Sequence, residues 1–129
     1  MAKKKFEKRY FNGFVYVLKI WLNESIVFKV GTTNRSVLTR LGELAIEYHQ
    51  KLGYVPKMKI IRDKQTKDNY AIEAKVLKRT EKHRYYLDCS MDVCGESELR
   101  KMDEAELLRV YEECIAMDYP AITGIKVEL

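Results

Sequence analysis

The order of apolar and polar residues along the chain predicts a hairpin, a long helix, a further strand and two more helices. Residues 13–20 are rich in β-branched and aromatic side chains. Phe14, Tyr16, Leu18 and Ile20 share one face of that strand and Val15 and Val17 the other, so it reads as central and covered on both sides. Asn23-Glu24-Ser25 supplies a turn, and residues 26–31 return as the hairpin partner. Thr32-Thr33-Asn34 then offers loop and cap chemistry for a helix over about residues 34–52. Leu38, Leu41, Ala45, Tyr48 and Leu52 repeat on it at the spacing of a buried face. Gly53 ends the helix and residues 55–61 form a third strand, with Pro56 tolerable only near its start or on a sheet edge.

The second half is less regular. Residues 62–66 read as a polar connection and residues 68–83 as a second helix. Residues 85–100 carry no clear period. Asp103 followed by Glu106 resembles a capping box that opens a helix through Met117. Pro120 is expected to stop that helix, leaving residues 122–127 for a short last strand. The fold class implied is α/β in the broad sense (α+β): one small domain with a three-stranded, mainly antiparallel sheet flanked by helices. Residues 1–12 form a basic N-terminal arm, 13–100 the core, and 101–129 a C-terminal helix with a possible short strand in the same domain.

Composition narrows the partners. At 129 residues, 47% hydrophobic and 33% charged, the chain has the make-up of an ordinary globular domain. A net charge of +5 favours a polyanion, because each cation that neutralises a phosphate releases a counterion. Part of the excess lies in Lys3, Lys4, Lys5, Lys8 and Arg9, opposed only by Glu7. That run fits a solvated terminus and a phosphate-contacting arm equally. Three cysteines, with no signal-peptide pattern, point to free thiols in a reducing, cytoplasmic setting. No apolar run approaches the ~20 residues needed to cross a bilayer, so no membrane partner is expected.

Among residues that can carry chemistry, Glu73 stands out. At about 100° per residue, Leu77 and Tyr70 flank it on one side and Val76 and Ile72 on the other, which sets the carboxylate near the middle of an apolar arc. A carboxylate there needs a cation or hydrogen-bond donors. A structural bridge to a lysine or arginine and a divalent ion both meet that need. Arg40 lies at the boundary of its helix face, where its fork can reach a phosphate or simply be solvated. Tyr16 faces inward, as core packing or as a positioned phenol. Lys29, between Phe28 and Val30, is a solvent-side residue of its strand unless that face forms a cleft. Cys89 and Cys94 enclose four residues, the loose end of a zinc knuckle, but even with His83 no second pair completes it.

Together these residues resemble a known family. Gly13-Phe14-Val15-Tyr16-Val17-Leu18 is similar to the first half of the GIY-YIG nuclease signature, with Tyr16 at its tyrosine. Lys29-Val30-Gly31-Thr32-Thr33 resembles the second half, in the branch where lysine replaces the second tyrosine. Arg40 stands nine residues after Gly31, as the family's helix arginine does, and Leu44 occupies a position that is histidine in some members. Glu73, within Ala71-Ile72-Glu73-Ala74-Lys75-Val76-Leu77, resembles the metal-binding glutamate. Gly95-Glu96-Ser97-Glu98-Leu99 resembles a late glycine-x-x-glutamate-aromatic motif, with Leu99 in place of the aromatic residue. The resemblance spans about residues 13–99.

The resemblance implies a metal-dependent endonuclease that hydrolyses phosphodiester bonds in DNA, or a catalytically inactive nucleic-acid-binding module with the same fold. It implies one Mg²⁺ or Mn²⁺ ion on Glu73, with Lewis-acid stabilisation of the leaving oxygen. Arg40 would neutralise the phosphate, and Tyr16 would orient or deprotonate water with Lys29 favouring its phenolate. Lys29, Arg40, Lys3, Lys4 and Lys5 are the expected nucleic-acid contacts and double-stranded DNA the expected partner, with specificity from this domain, a homodimer or a protein partner. Tyr16, Lys29, Arg40 and Glu73 are expected to converge on one concave, positively charged face.

Overall fold

Strand β1 (Gly13–Leu22) and strand β2 (Ser25–Thr33) pair antiparallel across a tight turn, Asn23-Glu24. Asn23 holds φ 52°, a left-handed conformation that asparagine tolerates better than most residues. The computed structural model describes residues 13–87 and 98–127, with side chains up to Met117. The basic arm with Lys3, Lys4 and Lys5, and the pair Cys89 and Cys94, lie outside the described residues.

Helix α1 (Val37–Leu52) follows, then β3 (Lys57–Thr66), α2 (Asn69–Arg79), a 3-10 turn (Glu81–His83), β4 (Leu99–Arg100) and α3 (Glu104–Val127). The strands order as β3-β1-β2-β4, all antiparallel, so the sheet has four strands where three were expected. The added strand is only two residues long, Phe28 facing Arg100 and Lys29 facing Leu99. A pairing that short leaves no alternation to read. The architecture is nonetheless that of a small single α+β domain.

Each face of β1 has its own layer. Tyr16, Leu18 and Ile20 pack with Val27 of β2 and with Val37, Leu44 and Tyr48 of α1. Val15 and Val17 pack with Phe28 and Val30, under Ile72 and Val76 of α2 and Leu107, Tyr111 and Cys114 of α3. Tyr111 donates a 2.7 Å hydrogen bond to the Val15 carbonyl, which ties α3 to the middle of the sheet. Both faces of β1 are therefore dry, as its doubly apolar pattern predicts.

Several boundaries differ from the sequence reading, each for a physical reason. β2 runs on through Thr33, paired with Phe14, and Ser36 rather than Asn34 caps α1, its hydroxyl accepting from Thr39 N at 3.0 Å. The buried stripe centres on Val37, Leu44 and Tyr48, and Leu38, about 100° round the helix from it, is 71% exposed. Gly53 closes α1 at φ 85°, a conformation that costs a glycine nothing. The expected polar connection at 62–66 is strand: Arg62 to Thr66 pair with Val17 to Gly13. An edge strand needs few apolar residues, and charges along it discourage further pairing. Ile61 is left over opposite the Val17–Leu18 step, a bulge that bends β3 there.

Helix α2 ends at Arg79, four residues before the expected end, because Thr80 leaves the helical conformation and the chain tightens into the 3-10 turn. Helix α3 continues to Val127 with neither a stop at Pro120 nor a strand at 122–127. An interior proline removes one N–H and crowds the carbonyl four residues back, a local cost, whereas a short strand would need a sheet edge to satisfy its whole backbone.

Candidate active site

The hairpin register decides where the first two candidates stand. Tyr16 lies directly across from Gly31 and Leu18 across from Lys29, so Tyr16 and Lys29 project to the face that α1 covers. A β-carbon built on Gly31 would lie 2.5 Å from the Tyr16 Oη and 2.6 Å from Cζ. The phenol ring thus rests over the bare backbone of β2, and only glycine leaves room for it.

Arg40 comes to the same place from the first turns of α1. Its Nη1 donates to Glu43 Oε1 and to Glu47 Oε2, both at 3.2 Å, and its guanidinium also acts on the Tyr16 hydroxyl. Burial drives the Tyr16 pKa up to about 12, and the charge and hydrogen bond of Arg40 offset only part of that. Tyr16 is therefore a neutral phenol at physiological pH, able to donate a proton in a hydrogen bond and to accept one. Arg40 stays charged: burial opposes its charge, but the Tyr16 oxygen and the Glu47 and Glu43 carboxylates outweigh that.

Lys29 is almost fully buried, at 1% exposure, and its ammonium is in hydrogen-bonded contact with Glu98. The expectation that it faces solvent fails in the described structure. Leu99, the residue after Glu98, pairs with Lys29 in β4, so the short strand itself delivers the carboxylate. Burying an ammonium without such a partner would be prohibitive.

Glu73 reaches the group from α2. Ile72 and Val76 take the centre of that helix's buried face, while Tyr70 is outside it, its hydroxyl accepting from Asn34 Nδ2 at 3.1 Å. Glu73 therefore sits half-buried at the rim rather than in the middle of the arc. Its pKa is pushed up to about 8, by burial first and then by the adjacent Glu98 carboxyl, against the opposing effects of Lys29 and a hydrogen bond from Thr32. Tyr16, Lys29, Arg40 and Glu73 do converge, from two strands and two helices. Around the two cations stand the carboxyl groups of Glu43, Glu47, Glu73 and Glu98, with Arg35 also paired to Glu43.

With the site in view, comparison with known proteins places the chain. The T5orf172 domain matches residues 13–115, which takes in every element from β1 to the middle of α3. The chain belongs to the T5orf172 domain family. That family has a GIY-YIG-like, nuclease-associated fold and is associated with nuclease-like and DNA-binding function. Neither the curated proteins nor the solved structures contain a match to the chain.

For a T5orf172 domain carrying this site, the donors available to a metal are oxygens. Glu73 and Glu98 present two neighbouring carboxyl groups with the Thr32 hydroxyl close by. Among the described residues no cluster of three or more His, Cys, Asp or Glu side chains is arranged as a ligand set. With Glu98 engaged by Lys29, Glu73 is the carboxylate left for a hard divalent ion that keeps several waters, as Mg²⁺ does, and oxygen donors do not suit a soft ion. Glu98 is the site residue that the sequence pattern undervalued. Its glycine-x-x-glutamate context was visible, but nothing local announces that it meets Lys29 and Glu73.

Proposed function

We propose that this T5orf172 domain is a divalent-metal-dependent endonuclease of the GIY-YIG superfamily, in the branch with lysine at the second tyrosine, acting on double-stranded DNA. The observation that carries the reading is the meeting of Tyr16 with Arg40 and of Lys29 with Glu73, with Glu73 also acting on Tyr16. No element of local sequence forces residues from four separate elements to one point.

Each side chain has a task its environment supports. Tyr16, held neutral, orients a water by hydrogen bonding through Oη rather than acting as a standing phenolate. The cation that acts most on that hydroxyl is Arg40, so the assistance assigned to Lys29 at the phenol passes to Arg40. Arg40 exchanges its bonds to Glu43 and Glu47 for a phosphate oxygen and balances the charge that grows on phosphorus. Both carboxylates are partly exposed, so the exchange costs little. Lys29 adds a fixed positive charge beside Glu73. Glu73 would hold one Mg²⁺ or Mn²⁺, while the neighbouring Glu98 carboxylate is taken up by Lys29. What such an ion supplies when bound is Lewis-acid stabilisation of the leaving 3′ oxygen.

One observation favours the other reading, a DNA-binding module without activity: Arg40 already has two carboxylate partners. Incubation of supercoiled plasmid with the protein and Mg²⁺ or Mn²⁺, beside a chelator control, separates the two. Nicked or linear product only with metal supports the nuclease. Gel retardation without cleavage under all conditions supports the binding module.

A further inference from the structure

We infer that Glu98 is a positioning residue of this site, which holds the Lys29 ammonium in place and brings it into register with Glu73; the inference rests on the nuclease reading for its functional consequence, though not for its geometry. Lys29 has a flexible four-carbon stem, and a lysine fixes a charge at a point only when something grips its head. The Glu98 carboxylate is the grip, in contact with Nζ, with the lysine 1% exposed. Glu98 also stands against Glu73 and contributes to the field at Tyr16, so one carboxylate grips Lys29 and acts on two more of the converging side chains.

The chain around Glu98 is built to hold it there. Leu99 is fully buried and pairs with Lys29 across β4. Arg100, 1% exposed, donates from Nε to the Thr80 hydroxyl at 2.9 Å and from Nη2 to the Leu77 carbonyl at 3.1 Å. Those acceptors close the C-terminal end of α2, the helix that carries Glu73. Glu98 and Glu73 are thereby fastened to each other through Arg100, from β4 to α2. An ion pair needed only for burial could sit anywhere along β2. This one is set where the lysine meets the site, and its strand is clamped to the helix of the neighbouring carboxylate.

The test combines a spectroscopic readout of Lys29 with cleavage. In protein labelled with ¹⁵N-lysine, a gripped and buried ammonium gives a slowly exchanging ¹H–¹⁵N signal, assigned by its disappearance in Lys29→Met. Glu98→Gln and Glu98→Asp are compared with the native chain, together with melting temperature. The expected result is loss of the Lys29 signal in Glu98→Gln and a shifted or broadened one in Glu98→Asp, which keeps the charge but shortens the reach. Cleavage should fall about tenfold or more in each, and Lys29→Met/Glu98→Gln should be no worse than Lys29→Met alone, as for residues that act as a unit. Glu98→Asp guards against a folding failure in Glu98→Gln. An unchanged Lys29 signal in both variants overturns the inference, as does a double variant whose cleavage loss is the product of the single losses. If the native chain cuts no DNA, the nuclease reading fails separately and the lysine signal still tests the positioning.

Discussion

Gly31 and Tyr16 are opposed across the hairpin so closely that a methyl group on one would overlap the phenol of the other, at 2.5 Å from Oη. The glycine of the lysine-x-glycine motif therefore fixes where the Tyr16 hydroxyl stands, and with it the point that Arg40 reaches. Gly31→Ala forces the ring to move or the strands to part. The expected cost is about 1–3 kcal/mol of stability, typical of overpacking. Cleavage should fall by far more than that loss of folded protein accounts for. Chemical denaturation and plasmid cleavage on the same preparation check both parts.

Tyr16 itself should behave as an orienting phenol. With its pKa pushed up to about 12, the fraction of Tyr16 ionised is negligible between pH 6 and 9, so the native chain and Tyr16→Phe should show the same tyrosinate absorbance over that range. Tyr16→Phe should lower cleavage about a hundredfold or more, within the range typical of positioned proton-transfer groups. A native pH–rate profile whose rise tracks a tyrosinate absorbance that Tyr16→Phe lacks would assign Tyr16 the role of base instead.

Glu73 makes stability depend on pH in an unusual direction. In the folded chain its pKa is raised to about 8 from a model-peptide value of 4.5, by burial and then by Glu98. Between those two values the folded state holds a proton that the unfolded state has released. Its contribution is therefore full below about pH 4.5 and is lost as pH rises through about 8. In chelator, the melting temperature of the native chain should fall from pH 6 to pH 9 more than that of Glu73→Gln. Added Mg²⁺ should raise it most at the alkaline end, where the carboxylate is free to bind. Thermal melts in matched buffers, with and without metal, give all three comparisons.

Arg100 is predicted to matter for stability. Replacement by alanine leaves the Thr80 hydroxyl and the Leu77 carbonyl without their charged donor in a dry environment. The expected loss is about 3 kcal/mol, with hydrogen-exchange protection falling first at the end of α2 and in β4. Equal protection in Arg100→Ala and the native chain would show that the clamp is dispensable.

The hairpin was legible because β1 is apolar on both faces, a pattern that few alternatives satisfy. The candidate residues were legible through motif order rather than physics, since Arg40 and Lys29 each had an ordinary reading of their own. What escaped the sequence has identifiable causes. The outer half of β3 is polar because an edge strand leaves one side to solvent, and Arg62 to Thr66 therefore looked like a loop. Leu38 looked buried because it is apolar and near in phase to Ala45, but the buried stripe centres on Val37, Leu44 and Tyr48, about 100° away from it. Glu98 could not be placed at all, because its partner Lys29 is 69 residues away in sequence and β4 is too short to leave a pattern.

The central claim is that Glu73 holds the metal on which phosphodiester cleavage depends. Its most direct test is cleavage of supercoiled plasmid by native protein and Glu73→Gln in Mg²⁺, with melting temperatures measured on the same samples. Glutamine keeps the size and hydrogen bonding of the protonated acid but cannot supply the charge a hard cation needs. Metal-dependent cleavage by the native chain is expected, with its collapse in Glu73→Gln at a near-normal melting temperature. Full cleavage by Glu73→Gln, or native cleavage that persists in chelator, would contradict it.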